Sequence, residues 1–218
     1  MSGTDGQNTA PPAESPAQSM AASLIEQVRP AIVGLVLLTL ITGFLFPAAV
    51  FGVGRALFPD QADGSLVRRG GVVVGSRLIG QGFGRPEYFQ PRPSAAGNGY
   101  DASQSSGTNL SPTNPKLIAA IGQAAQDYRK ANGLAPGAVV PIDAVTSSAS
   151  GLDPNISPEN AALQVPRVAK ARGVSEDVVS RLVAEHTEGR QLGFMGAPRV
   201  DVLELNVALD QTAPLPKR

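Results

Sequence analysis

The run Pro30–Gly54, PAIVGLVLLTLITGFLFPAAVFGVG, constrains this chain more than any other stretch, because it contains no charged residue. As a helix rising ~1.5 Å per residue, roughly 25 residues reach ~37 Å, more than the ~30 Å hydrocarbon core of a bilayer. Arg29 and Arg55 flank the run, and arginine stems can snorkel toward headgroups. A helix buried in a globular core rarely needs an uncharged surface on every side over this length. A cleaved signal peptide is opposed by the long apolar core, by the scarcity of basic residues before it and by the lack of an A-x-A site after it. The run is therefore expected to be one transmembrane helix, with a short N-terminal piece and a large remainder on opposite sides of a membrane.

That remainder, about 165 residues, is long enough for one ordinary soluble domain. Cysteine is absent from the 218 residues, which excludes disulfides, thiol catalysis and thiolate metal sites. The formal net charge is zero, so no strongly basic surface invites nucleic acid. With 24 glycines and 19 prolines, the domain is expected to be rich in turns.

Polar, Pro- and Ser-rich composition before the helix predicts a disordered tail over residues 1–29, with Ser23–Arg29 as a short amphipathic lead-in. Within the membrane helix (30–54), Thr39 and Gly43 are four apart and are candidate helix-packing positions. Pro47 is expected to kink the helix or mark where it leaves the hydrocarbon. After a linker (55–64), the soluble domain is expected over 65–211, followed by a frayed end, 212–218. Gly70-Gly71 between two β-rich runs, Ser65–Arg69 and Val72–Ile79, predicts a hairpin. Gly82–Asn114 reads as a long loop, pinned by Tyr88, Phe89, Tyr100 and Leu110. A helix opens at Asn114-Pro115, carries Leu117, Ile121, Ala124 and Tyr128 on one face, and closes at Asn132-Gly133. Val139–Ser148 reads as a strand and turn. Ser157-Pro158 opens a second helix with a kink or restart at Pro166, and Ser175 caps a third bearing Val178, Val179, Leu182 and Val183. Pro198–Leu209 begins as a strand and ends as a helical turn.

Signals for chemistry are sparse. The sequence has no phosphate loop, no Asp-Lys-Thr-Gly-Thr phosphorylation sequence and no G-x-S-x-G elbow. Gly80–Gly84 (GQGFG) lacks the spacing of a dinucleotide loop and is better read as backbone needing positive φ. The single histidine, His186, falls in the third helix one turn past Leu182 and Val183 and reads as a helix-face residue near a C-terminus. Asp153 and Asn155 are explained either by turn chemistry leading into the Ser157 cap or by an ion or partner site. Arg167, Lys170 and Arg172, in QVPRVAKAR, form either a solvated face or a docking surface for carboxylates or phosphates.

Several words occur in fixed order: GSRLIGQ (Gly75–Gln81), YFQPRPSA (Tyr88–Ala95), SGTNL (Ser106–Leu110), VTSSASGLDPNISP (Val145–Pro158), QVPRVAKARG (Gln164–Gly173) and VLELNVALD (Val202–Asp210). They follow one membrane helix ending ITGFLFP. In this the chain closely resembles the C-subunit family of the bacterial Kdp high-affinity potassium-transporting ATPase. The resemblance implies a non-catalytic accessory subunit needed for assembly, described as a catalytic chaperone that raises the pump's ATP affinity. It implies partners: a channel-like A subunit, a P-type ATPase B subunit and a small F peptide, within the lipid bilayer of the bacterial inner membrane. ATP and potassium are then handled by the complex, with no cofactor bound directly by this chain. The fold expected is α+β: one N-terminal transmembrane helix followed by a single mixed α/β extracytoplasmic domain. Charge alone, with Arg29 on one side and Arg55, Arg68 and Arg69 on the other, weakly favours the opposite orientation. The resemblance is given more weight, because large domains translocate largely regardless of charge. Candidate partner-interface residues are Tyr88, Phe89, Arg92, Ser150, Asp153, Asn155, Gln164, Arg167, Lys170 and Arg172. A membrane-anchored envelope enzyme and a passive scaffold over a channel are the competing readings.

Overall fold

A computed structural model describes residues 16–215. The chain divides after Ala62 into two compact units. The first is helical. Helix α1 (Pro16–Leu40) runs through a π-helical segment, Ile41–Leu45, into α2 (Phe46–Leu57), and a short α3 (Pro59–Ala62) follows. Within this unit Ile25–Leu57 is long and apolar enough to cross a membrane, with its side chains exposed. The helix begins well before Pro30, so the lead-in is continuous with it; residues 1–15 of the expected tail lie outside the described residues.

The π segment has a local cause. Pro47 has no N–H to donate back along the helix. Just before it, Phe46 N–H bonds to Ile41 O, five residues back, the wide register of a π-bulge. Thr42 Oγ1 donates to Leu38 O at 2.7 Å on the same stretch. Pro47 thus sits at the first turn of α2, and the helix continues through it.

The second unit mixes helix and sheet. Strands β1 (Leu66–Arg69) and β2 (Val72–Ser76) form an antiparallel hairpin. Gly70 and Gly71 adopt φ of +55° and +82°, the paired positive values a two-residue hairpin turn requires. The register shifts between Val67 and Arg68, which accounts for the imperfect alternation in the sequence. Helix α4 (Pro115–Asn132) follows a long irregular segment. It is capped by the Asn114 side chain, which accepts from Lys116 N, and closed by Gly133 at φ +66°.

Of the strand and turn expected over 139–148, only the turn forms. Pro141 removes a ladder donor, and Ile142–Ala144 form a 3-10 turn instead. Asp143 ties that turn to the next helix by accepting from Ser157 N, Ser157 Oγ and Asn160 Nδ2. Strand β3 (Asn155–Ile156) leads into α5 (Pro158–Arg172), α6 (Glu176–Glu185), β4 (Thr187–Glu188), β5 (Arg199–Asp201) and α7 (Val202–Thr212). The sheet order is β3-β5-β4, all antiparallel. Helix α5 does not restart at Pro166; it stays α-helical from Pro158 to Arg172. The core lies between α5, α6, α7 and this small sheet, around Ile156, Val168, Val179, Val200, Leu205 and Leu209. Phe89 enters it from the long loop, with no exposed surface.

Candidate functional site

The long irregular segment between β2 and α4 poses a backbone problem: each buried N–H and C=O needs a partner, and among the described residues no strand runs beside it. Side chains of α5 and α7 supply those partners over five consecutive residues. Arg167 donates from Nη1 to Pro86 O at 2.6 Å and to Tyr88 O at 3.0 Å. Arg172 Nε donates to Glu87 O at 2.7 Å. Asn206 receives Phe89 N–H at 2.8 Å and donates Nδ2 to Phe89 O at 2.9 Å. Gln164 does the same to Gln90, at 2.8 and 3.0 Å. The two carboxamides each grip one residue's N–H and C=O, as a neighbouring strand would.

These grips are rooted in a buried polar chain. Gln164 Nε2 also donates to Asn160 Oδ1, which receives Tyr128 Oη from α4. Asn160 Nδ2 reaches Asp143. Arg167 Nη2 donates to Gln164 Oε1, and Arg167 Nε to Asn132 Oδ1. Gln164, Asn160 and Asn206 are buried, where unpaired amides would be costly. Burial lowers the pKa of Arg167 and raises that of Tyr128.

A second cluster centres on Asp210 in α7. One carboxylate oxygen accepts from Arg69 of β1 and from Tyr88 Oη; the other accepts from Arg172 at 2.9 Å. The Arg172 guanidinium also lies 4.9 Å from the centre of the Tyr88 ring, within cation–π range. The Tyr88 pKa is raised, first by burial and then by the Asp210 charge. Asp210 thereby joins the hairpin, the long loop, α5 and α7.

The loop's far half rests on the segment 148–155. Ser106 N–H and Ser105 Oγ bond to Ser150 O, Ser94 Oγ donates to Gly151 O, and Arg92 pairs with Asp153 at 2.9 Å. Tyr100 Oη donates to Arg92 O, and burial pushes its pKa up to about 12. Gly151 has φ +68°, and a Cβ there would sit 2.5 Å from Ser106 O and 2.7 Å from Ala96 N. Asp153 also accepts Asn155 N–H at 3.0 Å, which is the expected turn chemistry.

This geometry corrects part of the sequence reading. Phe89, Gln164 and Arg172 are internal, not surface residues. Arg167 and Lys170 do not form a shared basic face: Arg167 turns inward to loop carbonyls, whereas Lys170 is exposed. The pairing of these arginines with backbone carbonyls has no signal in the sequence, because nothing local links α5 to a loop about 80 residues upstream. Ser150 and Lys170 remain exposed; Tyr88, Arg92, Asp153 and Asn155 are half-buried. Among the loop anchors, Leu110 is exposed. In the apolar helix, a Cβ built on Gly43 would lie 4.0 Å from Thr39 Cγ2, so the two share a face. His186 ends α6, its Nδ1 2.9 Å from Leu182 O. Among the described residues no group of three or more His, Cys, Asp or Glu side chains is arranged to hold a metal.

Residues 28–211, spanning the apolar helix and the mixed domain, match the family model KdpC, described as K+-transporting ATPase, c chain. A potassium-transporting ATPase KdpC subunit of Mycobacterium tuberculosis is 55% identical over 185 residues, covering 85% of this chain and 98% of that protein. The corresponding subunit of Beijerinckia indica is 53% identical over 192 residues, 88% and 97% of the two chains. That of Caulobacter vibrioides is 54% identical over 192 residues, 88% and 96%.

Proposed function

Because the chain belongs to the KdpC family of K+-transporting ATPase c chains, we propose that it is the accessory subunit of an ATP-driven potassium-uptake pump. The observation that carries this is the continuity of the match: it runs through both the apolar helix and the whole mixed domain. In this reading the helix anchors the chain in the bacterial inner membrane and the mixed domain is extracytoplasmic. The chain works beside a channel-like A subunit, a P-type ATPase B subunit that holds the catalytic residues, and a small F peptide.

Its role is to assemble the complex and to raise the ATP affinity of the ATPase subunit. An extracytoplasmic domain does not meet ATP bound in the cytoplasm, so the effect is indirect. A subunit that binds one pump state more tightly shifts the population toward it. A tenfold gain in apparent ATP affinity needs about 1.4 kcal/mol of differential binding. The side-chain grips on residues 86–90 suit that task, because they hold a long loop in one conformation without a sheet.

The test is potassium-stimulated ATP hydrolysis by the purified complex, with and without this chain, over a range of ATP concentrations. A rise in the ATP concentration for half-maximal rate is expected on removing the chain. Loss of the complex would point to assembly alone. Unchanged ATP dependence and potassium transport in an intact complex would overturn the proposal.

A further inference from the structure

The turn Ile142–Ala144 and the first turns of α5 flank an open groove of 630 Å³, in which Asp143 and Ser157 are already bonded to each other. Its apolar wall is formed by Val139, Ile142, Ala162 and Leu163. Val139 is 88% exposed and Ile142 69%, so both keep apolar surface in water that a partner's burial of it would favour removing. The charged residues lining the groove are both acidic, Asp143 and Glu159. Asp143 is committed, since its two oxygens accept from Ser157 and Asn160. Glu159 is exposed in the first turn of α5 and has no ion-pair partner among the described residues.

From this pairing of apolar wall and unpartnered carboxylate we infer that the groove docks a protein segment of another pump subunit. That segment places an apolar side chain against Ile142 and Val139 and a lysine or arginine beside Glu159. The acidic lining selects a cationic partner and disfavours the anionic headgroups of a lipid surface. Apolar contact supplies affinity, and the charge fixes which segment fits. The inference rests on the accessory-subunit reading, which supplies the partner.

The experiment uses the full chain in the assembled complex. Benzoylphenylalanine placed at Ile142 is photoactivated, and the captured peptide is identified by mass spectrometry. The expected product is a segment of another pump subunit with an apolar residue within about two positions of a Lys or Arg. Glu159→Lys in the same chain should lower its yield about tenfold, while Glu159→Gln lowers it less. Capture of lipid, of a second copy of this chain, or of nothing in an intact complex would overturn the inference. So would Glu159→Lys and Ile142→Asp complexes that assemble and transport potassium as the unsubstituted complex does. Deleting the chain separates the two ideas. Transport lost on deletion, with both variants behaving normally, sinks the groove alone; transport that survives deletion sinks the accessory reading and the groove with it.

Discussion

Asn206 spans 117 residues of sequence to hold both polar groups of Phe89. Removing its carboxamide leaves a buried N–H and C=O without partners, each costing about 1–3 kcal/mol. Asn206→Ala should therefore destabilise the domain by about 2–4 kcal/mol in thermal or denaturant unfolding, whereas Asn206→Leu fills the volume but should still lose most of that. Asp201 offers a second residue-scale test. It caps α7 by accepting Glu204 N–H, yet its pKa is raised to about 6. Burial is the largest cause; the charges of Glu204 and Glu188 add to it, and the backbone N–H groups of Glu204 and Leu203 oppose it. With the native value above the unfolded one, protonated Asp201 favours folding. This contribution is complete below the unfolded pKa near 4 and is lost as pH rises through about 6. Asp201→Asn keeps the capping oxygen. It should abolish that loss, so the variant gains stability over the unsubstituted protein as pH rises from 4 to 7.

Helix α5 carries most of the loop's anchors, and its continuity across Pro166 is what keeps Gln164, Arg167 and Arg172 in register with residues 86–90. Proline in a helix interior costs about 3 kcal/mol, while the unfolded-chain entropy it removes returns at most about 1 kcal/mol. Pro166 is exposed, so Pro166→Ala should raise stability by about 1–2 kcal/mol without disturbing the loop, measurable as a higher unfolding temperature. The opposite result is expected at Gly151, where the loop and the 148–155 segment meet. A Cβ there collides with backbone on two sides and demands a positive φ. Gly151→Ala should cost more than about 2 kcal/mol and expose the Gly82–Asn114 segment to limited proteolysis.

For the whole molecule, the two units answer to different solvents. Apolar side chains along Ile25–Leu57 are exposed, an arrangement suited to lipid, whereas the second unit gathers its apolar residues around Phe89, Ile156 and Leu205. Cutting the chain after Ala62 should release a second unit that folds without detergent, since its core is internal, while the helical unit should require detergent or bilayer. Circular dichroism and gel filtration of each piece would check this. A released second unit that aggregates would show that its exposed Val139, Ile142, Leu192 and Phe194 need cover that water does not give.

Local physics made several elements readable in the sequence. The uncharged run forced a helix, Gly70-Gly71 a hairpin, and the Asn114-Pro115 and Ser157-Pro158 pairs two helix starts, because each signal acts within a few residues. The pattern of words also sufficed for the family. Local signals misled where a distant partner decided the outcome. Val139–Ser148 reads as a strand and turn, but Pro141 and the bonds of Asp143 to Ser157 and Asn160 leave only the turn. Arg167 and Arg172 looked like a basic surface, but their guanidinium groups satisfy carbonyls of residues 86–88. Charge and spacing along the chain determined which residues carry strong donors. Only the tertiary structure decided where those donors point, because that depends on which unpaired backbone folding brings against them.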